Sequence, residues 1–441
     1  MRTRPLELAS VPSEVAALRP AESSNRQIAE VVAGLVADVR AGGDAALVEA
    51  TRRFDWPEAD AEHLPVGAGE LDSAYHELEP VMLAALETTR DNCTFFHRHE
   101  LRDDWLGTGP DGQALGIRHL PVDRAGLYVP GGLGAYASTV VMNCVPAAVA
   151  GVRELVICTP PGCDGTVNRS VLAAARLMGV RRVYRVGGAQ AVAAMAFGTE
   201  TVPKVDVICG PGNAYVTEAK RQVYGAVGID NLAGPSEVLV VADKTARPEW
   251  VAADLLAQDE HGSGASAVLL ADSEGLCRAV GEAIEALLTG TARPERPGLL
   301  EVAAFYASPG EEFLPLAAAF VNAYAPEHLE VQLADSRGFV PLVRSAGAIF
   351  VGHLTPTAFG DYVAGSNHVL PTGGAAAFSS PLSVDTFIRR SSVVEMTLGA
   401  VRSLTPHLAR LADSEGFVFH RVSAELRAAA PHLLPDPSEI G

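Results

Sequence analysis

Short apolar runs alternate with amphipathic stretches along most of this chain after Leu120, and several of the runs end at a glycine-rich turn. The runs are residues 125–129, 155–158, 182–186, 205–209, 237–242, 267–270 and 348–351. The stretches with helical spacing are residues 167–178, 191–197, 214–224, 249–258 and 276–288. Strands that alternate with helices form parallel sheets. Right-handed crossovers then bring the glycine-rich turns to one edge of a sheet, where such folds bind ligands.

The two ends of the chain have a different pattern. Up to about Arg118 the apolar residues have mostly helical spacing, and the tail from Leu382 is amphipathic and helical. We therefore predict an α/β protein with two Rossmann-like parallel-sheet domains, a helical N-terminal region and a helical C-terminal tail. The predicted parts are residues 1–22 (N-terminal helical arm), 23–127 with 237–381 (main α/β domain), 128–236 (inserted Rossmann-like domain) and 382–441 (tail). Residues 294–297 and 353–380 are predicted loops.

Charge and composition exclude some classes of partner. The 441 residues include 34 basic and 53 acidic side chains, a formal net charge of -19, which repels phosphate backbones and anionic headgroups. We expect no nucleic-acid or membrane partner. The N-terminus lacks the apolar run of a signal peptide, and the most apolar stretch, 140–152, is too short to cross a bilayer. The six cysteines contain no CxxC pair, which indicates free, buried thiols in a reducing cytoplasm.

A few polar side chains have types that suit a metal site. Gln258 and His261 are three residues apart and would share one face of a helix end. Asp361 and His368 lie in a glycine-rich segment, and His420 lies in the tail. Such a mixed nitrogen and oxygen set suits Zn²⁺ and would also accept Mn²⁺ or Co²⁺. Taken alone, the Gln258 and His261 pair fits two polar residues on an exposed last turn better than it fits a metal site.

A carboxylate and an imidazole are adjacent at Glu327 and His328, directly after Pro326. Proline is tolerated at the start of a helix, so we predict a helix beginning here. The ordinary pKa of histidine lies nearest neutrality, which suits proton abstraction from an alcohol, and a neighbouring Glu could activate a water. The pair could also be a favourable Glu and an exposed His at a helix N-terminus.

The signal for a dinucleotide is indirect. Residues 132–137 fit a relaxed G-x-G-x-x-A pattern after a strand, but the run 155–158 ends in Thr159-Pro160, where an acidic residue would hold a ribose. Glycine-rich turns occur at Gly187, Gly210 and Gly234. Their backbone amides could approach the phosphates of a dinucleotide, or they could be tight turns between a strand and a helix. The motifs GxxxxGK[ST], G-x-S-x-G and HExxH are absent from the sequence, which argues against P-loop, serine-hydrolase and zincin readings.

Several long segments, in order along the chain, resemble the histidinol dehydrogenase family over nearly the whole sequence. They are PVDRAGLYVPGG (121–132), GGAQAV (187–192), GPGNAYV (210–216), AGPSEV (233–238), QDEH (258–261), APEHL (325–329), GDY (360–362) and NHVLPT (367–372). The resemblance implies a homodimeric enzyme, with one Zn²⁺ per subunit, that uses two NAD+ and one water to convert L-histidinol to L-histidine through the aldehyde. It implies that His328 is the general base of both oxidations and that Glu327 activates the water.

The same resemblance implies roles for individual residues. Gln258, His261 and Asp361 would bind zinc in one subunit, and His420 would reach the same ion from the tail of the other. The zinc would chiefly orient the substrate. The implied substrate contacts are Ser236, Gln258, His261, Glu327, His328, Asp361, His368, Glu415 and His420, with Glu415 facing the imidazole ring. The implied NAD contacts are Tyr128, Gln190 and Asn213.

This chain departs from the family at two places. Thr357 stands where many relatives carry Glu, and residues 374–377 are small and apolar where many relatives have an Arg. Neither position belongs to the ligand or base set, so the implied reaction type is unaffected, and Glu415 favours an imidazole substrate. The alternatives are a zinc and NAD dehydrogenase for another small polar alcohol, and a metallo-hydrolase in which zinc and Glu327 activate water without a redox step. A non-catalytic paralogue is disfavoured by the full set of site residues.

Overall fold

The computed structural model describes residues 1–19, 25–131, 136–261, 264–291 and 302–429. Contacts divide the chain into two compact units. The first is Met1–Glu100 with Val122–Phe387, and the second is Leu101–Pro121 with Ile388–Gly441. Most of the predicted motif at 132–137 and the predicted loop at 294–297 lie outside the described residues.

The strands and helices of the described residues follow the predicted alternation. The strands are β1 (Arg2–Leu6), β2 (Trp105–Thr108), β3 (Ala114–Pro121), β4 (Arg124–Tyr128), β5 (Glu154–Thr159), β6 (Arg182–Arg185), β7 (Val207–Cys209), β8 (Gly228–Ile229), β9 (Glu237–Ala242), β10 (Ser266–Ala271), β11 (Val302–Ala307), β12 (His328–Gln332), β13 (Ala348–Val351) and β14 (Ile388–Glu395). The helices are α1 (Val11–Leu18), α2 (Asn25–Phe54), α3 (Ala68–His76), α4 (Pro80–Arg98), α5 (Ala137–Ala150), α6 (Arg169–Leu177), α7 (Gly188–Phe197), α8 (Ala214–Val223), α9 (Pro248–Ala257), α10 (Glu274–Gly290), α11 (Phe313–Tyr324), α12 (Ser336–Phe339), α13 (Thr357–Tyr362), α14 (Leu398–Glu415) and α15 (Val418–Ala429). The α/β fold class is confirmed.

A five-stranded parallel sheet has the order β6-β5-β4-β7-β8. The helices α5 to α8 connect its strands, and α2, α3 and α4 pack against them, so that apolar residues of α2 join those of the sheet in one core. This corrects the predicted domain boundaries, because β4 and the helices α2 to α4 belong with this sheet and not with the main domain. Amphipathic spacing shows which face of a helix is apolar, but not which sheet that face will cover.

A six-stranded parallel sheet has the order β1-β11-β10-β9-β12-β13. Its edge strand β1 comes from the start of the chain, so the predicted helical arm begins with a strand that pairs with β11. The helix predicted after Pro326 is also wrong: His328 begins β12, between β9 and β13. Within the predicted loop at 353–380, the short helix α13 forms.

The second unit is a three-stranded antiparallel sheet, β14-β3-β2, with the helices α14 and α15, which contact each other. The predicted helical tail, residues 382–441, therefore contains a strand, β14, which pairs antiparallel with β3. In the described part of the chain, no helix combines the length and apolar character needed to cross a membrane. The six cysteines are free, and five of them are buried as predicted, whereas Cys163 is exposed.

Candidate active site

The Glu327 carboxylate is fixed at the amino end of the six-stranded sheet. It directly precedes β12, and its side chain is buried, with 6% of the residue exposed. Its Oε2 accepts hydrogen bonds from Ser236 Oγ at 2.6 Å and from the backbone N–H of Glu237 at 2.8 Å. Ser236 and Glu237 stand at the start of the neighbouring strand β9, so the parallel pairing of β9 with β12 positions both donors.

The His328 ring is buried and contacts polar groups at both nitrogens. Its Nδ1 lies 3.0 Å from the backbone oxygen of Glu237, and its Nε2 lies 3.3 Å from Oδ1 of Asp361. Glu327 Oε2 is 3.5 Å from Nδ1. Burial alone would lower the pKa of His328, but the negative charges of Glu327 and Asp361 outweigh it and raise that pKa well above its ordinary value. The ring is thus oriented by the Glu237 oxygen at Nδ1, and its Nε2 faces the Asp361 carboxylate.

Asp361 and His368 are joined through the short helix α13 and the loop that follows it. The Nδ1 of His368 donates to the backbone oxygen of Asp361 at 2.8 Å, and its Nε2 accepts from Thr139 Oγ1 at 3.2 Å. Burial lowers the pKa of His368, which agrees with an Nε2 that accepts. Although burial raises the pKa of the Asp361 carboxyl, His328 and the other nearby histidines hold it below its usual range. The loop therefore presents an ionised carboxylate beside a neutral imidazole.

Gln258 and His261 lie in a single 3-10 turn, Gln258–His261, that continues α9. Gln258 is buried, and its Nε2 has no hydrogen-bond partner among the described residues. An unpaired buried amide N–H costs about 1–3 kcal/mol, so a hydrogen-bond acceptor at this end of the side chain would relieve that penalty. His261 is exposed and is near enough to lower the pKa of Asp361, and α9 contacts α13.

These groups fit part of a zinc site. An amide oxygen, an imidazole and a carboxylate are acceptable zinc donors. Within the described residues, however, no three or more His, Cys, Asp and Glu side chains are grouped so that they could hold a metal ion. One of the four predicted zinc ligands, Gln258, is an amide and not a His, Cys, Asp or Glu. A second, His420, lies in the second unit. The first unit thus offers an incomplete set of ligands.

The predicted NAD contacts Tyr128 and Gln190 meet at the carboxyl edge of the five-stranded sheet. Tyr128 ends β4, and its hydroxyl oxygen accepts from the backbone N–H of Gly188 at 3.1 Å. Gln190 lies in the first turn of α7, and its Nε2 donates to Oδ2 of Asp55 at 3.1 Å. Both side chains are buried. The end of β4 therefore contacts the glycine-rich turn after β6.

The third predicted contact, Asn213, caps α8, because its Oδ1 accepts from the backbone N–H groups of Tyr215 and Val216. The turn before it needs a glycine. Gly210 has a φ of 111°, and a Cβ there would lie 2.1 Å from the backbone oxygen of Tyr128. A buried ion pair between Lys220 and Asp230 holds both backbone groups of Gly210. The turn is thus fixed against the end of β4.

Glu415 and His420 belong to the second unit. Glu415 is the last residue of α14, His420 lies in α15, and both are exposed. Their implied roles at the metal and the substrate stay predictions.

Sequence reasoning missed a buried acidic group beside the site. Glu330 is fully buried in β12, its Oε1 accepts from the backbone N–H of Thr357 at 2.8 Å, and its Oε2 lies 3.1 Å from Nε2 of Gln332. That Nε2 also donates to Asp254 of α9 at 3.0 Å. Burial, and then the nearby Asp254, raise the pKa of Glu330 well above its usual value. The available signal was the polar alternation of His328, Glu330 and Gln332, which places them on one face of a strand.

Arg19 was also missed. Its guanidinium pairs with the Glu237 carboxylate and lies 4.3 Å from the centre of the Tyr324 ring. Burial raises the pKa of Glu237 to about 7. Glu237 contacts Glu327 and His328 through its backbone, so Arg19 stabilises the segment that holds the acid–base pair.

Two parallel α/β sheets, one with glycine-rich turns at its carboxyl edge and one with a buried Glu–His pair, define a candidate α/β enzyme. The family model for histidinol dehydrogenase matches residues 18–428. The histidinol dehydrogenase of Synechococcus sp. is 50% identical over 394 residues, 89% of this chain and 90% of that protein. That of Geobacter metallireducens is 46% identical over 421 residues, 93% of this chain and 94% of that protein.

A solved structure is similar as well. The crystal structure of histidinol dehydrogenase from Elizabethkingia anophelis matches with a TM-score of 0.90 and 32% identity, over 98% of this chain and 99% of that chain. The chain therefore belongs to the histidinol dehydrogenase family of oxidoreductases.

Proposed function

We propose that this protein oxidises L-histidinol to L-histidine in two successive steps, with NAD+ as the acceptor, in the cytoplasm. The observation that carries the proposal is the Glu327 and His328 pair, which is buried and oriented by the backbone of Glu237. The family membership supplies the substrate and the reaction. Each oxidation removes a hydride and a proton, and between the two steps a water adds to the aldehyde.

His328 is the proposed base. With its Nδ1 donating to the Glu237 oxygen, its Nε2 is the atom that takes the hydroxyl proton. Nearby Asp361 stabilises the imidazolium that results, because the carboxylate lies 3.3 Å from Nε2. The fixed ring needs no reorganisation at the moment of transfer, which supplies part of the rate.

Glu327 is proposed to activate the water of the second step. Ser236 and the Glu237 N–H both donate to its Oε2, which fixes the carboxylate in place. Its position beside His328 puts the two proton acceptors next to each other. One residue can therefore serve the alcohol while the other serves the water.

For zinc, we propose Gln258, His261 and Asp361 of one subunit and His420 of the partner subunit as ligands. Zinc, when bound, would orient the substrate through its nitrogens. The proximity of His261 to Asp361 supports this set. For NAD+, we propose contacts at Tyr128, Gln190 and Asn213, and the cofactor would accept the hydride in each step.

A homodimer is part of the same proposal, because the partner subunit would supply His420 to the metal set. The second unit also has large apolar side chains that are exposed, as a surface that docks on another chain would have. These side chains are Leu411, Phe417, Val418, Phe419 and Leu426. Glu415, next to this surface, is the proposed contact for the imidazole of the substrate.

The test is the stoichiometry of turnover. Purified, zinc-loaded protein is given limiting L-histidinol and excess NAD+, and NADH and histidine are both measured at completion. We expect two NADH for each histidinol consumed, without free aldehyde. In Glu327→Gln the second step should slow by about 10²-fold or more, so that aldehyde accumulates and the ratio moves toward one early in the reaction.

Other results would favour the alternatives. Turnover of a different small polar alcohol, with none of L-histidinol, would assign the protein to a related dehydrogenase reaction. Hydrolysis of a substrate without NADH formation would support a metallo-hydrolase.

A further inference from the structure

The five-stranded sheet has the strand order of a dinucleotide-binding domain. In the order β6-β5-β4-β7-β8, β4 is the first strand along the chain and β5 is the second. In such sheets the pyrophosphate lies at the turn after the first strand, and an acidic residue near the end of the second binds the hydroxyls of the adenosine ribose. Here β5 ends at Thr159 and is followed by two prolines, so the strand itself supplies no carboxylate.

A carboxylate from another part of the chain occupies this place. Asp55 directly follows α2, and its Oδ2 accepts from the backbone N–H of Gly187 at 3.1 Å and from Nε2 of Gln190 at 3.1 Å. A Cβ on Gly187 would lie 2.5 Å from Pro160 Cβ and 3.0 Å from Asp55 Oδ1. The carboxylate is therefore beside the residue that follows β5. It also hydrogen-bonds to Gln190, a proposed NAD contact.

We propose that Asp55 binds the ribose hydroxyls of the adenosine half of the dinucleotide and so selects NAD over NADP. The proposal rests on the NAD dependence proposed above. A carboxylate accepts hydrogen bonds from the two hydroxyls of a ribose, whereas the 2′-phosphate of NADP would bring like charge against it. Among the described residues, Gly187 and Gln190 both donate to Oδ2 of the Asp55 carboxylate, and Oδ1 takes part in neither of these hydrogen bonds.

The environment of Asp55 suits such a ligand. Burial is the largest influence on the carboxyl and raises its pKa, in spite of the hydrogen bonds from Gly187 and Gln190. A partly desolvated carboxylate gains from further donors, and a ribose provides two. Tyr128 ends the neighbouring first strand, and its hydroxyl lies against Gly188. The charge of Asp55 thus faces the same edge as two proposed cofactor contacts.

If Asp55 had only a structural role, any hydrogen-bond acceptor at its position would be enough. Asp55 caps the start of α7, and an asparagine can accept the same hydrogen bonds through its Oδ1 without a charge. The Asp55→Asn variant therefore keeps the hydrogen bonds to the start of α7 and removes only the negative charge that would act on the dinucleotide. Asp206→Asn is the matched control: Asp206 accepts from the backbone N–H groups of Asp123 and Arg124, at the opposite edge of the same sheet.

The experiment measures the dissociation constants of NADH and NADPH by calorimetry on the full-length, zinc-loaded protein. For wild type we expect a strong preference for NADH. In Asp55→Asn we expect the ratio of the two constants to fall about ten- to hundredfold, the range for a lost hydrogen bond to a charged group. Asp206→Asn should keep the wild-type ratio.

An Asp55→Asn protein that binds NADH with the wild-type preference overturns the proposal. A second test uses only the wild-type protein, so it does not depend on whether the variant folds. Wild type should bind 2′-deoxy-NADH about tenfold more weakly than NADH. Equal binding of the two would also overturn the proposal. If wild type bound neither dinucleotide, the proposed NAD dependence would fail, and this inference with it. Normal NADH binding without the predicted change of ratio would leave the NAD dependence standing and refute the role of Asp55 alone.

Discussion

At the scale of single residues, the backbone of Glu237 organises the acid–base pair. Its N–H holds Glu327, its carbonyl oxygen holds His328, and its side chain pairs with Arg19. The side chain and the backbone of one residue thus act on different partners. Replacing the Glu237 side chain tests the ion pair and leaves the peptide groups in place.

The first prediction concerns the pH dependence of stability. Burial raises the folded-state pKa of Glu237 from 4.5 to about 7. A carboxyl whose pKa is raised on folding contributes stability that is fully present below the unfolded pKa and is lost as pH rises through the folded pKa. The free energy of unfolding of wild type, minus that of Glu237→Gln, should therefore fall by roughly 3 kcal/mol between about pH 4.5 and pH 7.

Urea unfolding at several pH values measures this difference. The exposed Glu274→Gln variant removes the same charge at the start of α10 and serves as the control, with a difference that should stay nearly constant. A difference for Glu237→Gln that rises with pH would contradict the direction of the pKa shift.

At the scale of elements, a buried carboxylate links the strand and the helices that carry the site. Glu330 lies two residues after His328 in β12 and accepts from the first N–H of α13, the helix that carries Asp361. Through Gln332 it is joined to Asp254 of α9, one turn before Gln258. Because the pKa of Glu330 is raised by burial, a neutral side chain of the same shape should preserve the link.

We therefore predict different effects for two substitutions of Glu330. Glu330→Met fills similar space but removes the acceptor for Thr357, so α13 loses its anchor and zinc affinity should fall about 10- to 100-fold. Glu330→Gln keeps the acceptor and should stay within a few-fold of wild type. Zinc affinity is measured by competition with a chromophoric chelator, and thermal unfolding is followed in parallel. Equal zinc affinity in both variants would show that Glu330 does not position Asp361.

At the scale of the whole molecule, the proposed zinc site takes ligands from two subunits of a homodimer. The proposed zinc ligands Gln258, His261 and Asp361 lie in the first unit, and His420 is an exposed residue of the second unit. The exposed Phe417 and Phe419 lie just before His420 along the chain. A surface of this kind is stabilised when a second chain covers it, and a shared metal would couple zinc binding to dimer formation.

Mixing two inactive variants tests this arrangement. In a heterodimer of His261→Ala with His420→Ala, one shared site carries both substitutions and the other carries neither. Up to about a quarter of wild-type activity should therefore return after subunit exchange, by counting over random dimers.

His261→Ala mixed with Asp361→Ala is the matched control. Both residues come from the same side of the site, so each site of the heterodimer keeps one lesion and activity should stay low. Recovery in the control, or none in the first mixture although exchange is demonstrated, would refute the shared site.

Much of the architecture could be predicted because its signals are local. The runs that became β4, β5, β6, β7, β9, β10 and β13 are short and apolar, and a buried parallel strand needs no more than that. The family motifs placed Glu327 beside His328 and Gln258 near His261, since these pairs are also close along the chain.

What depends on distant contacts could not be read from the sequence. The segment after Pro326 became a strand because β9 and β13 pair with it on both sides, which overrides the local preference for a helix start. The helices α2 to α4 could have covered either sheet, and only packing assigned them to the five-stranded one.

The sequence also did not point to Asp55, Arg19 and Glu330 as residues of the site. Each is an ordinary charged residue in its local sequence, and its role comes from a partner far away along the chain. The sequence determined which chemical groups this protein carries and the pattern of strands and helices, because those depend on neighbours in the chain. The tertiary structure decided which carboxylate lies against which backbone amide, because burial and hydrogen bonding join residues that the sequence keeps apart.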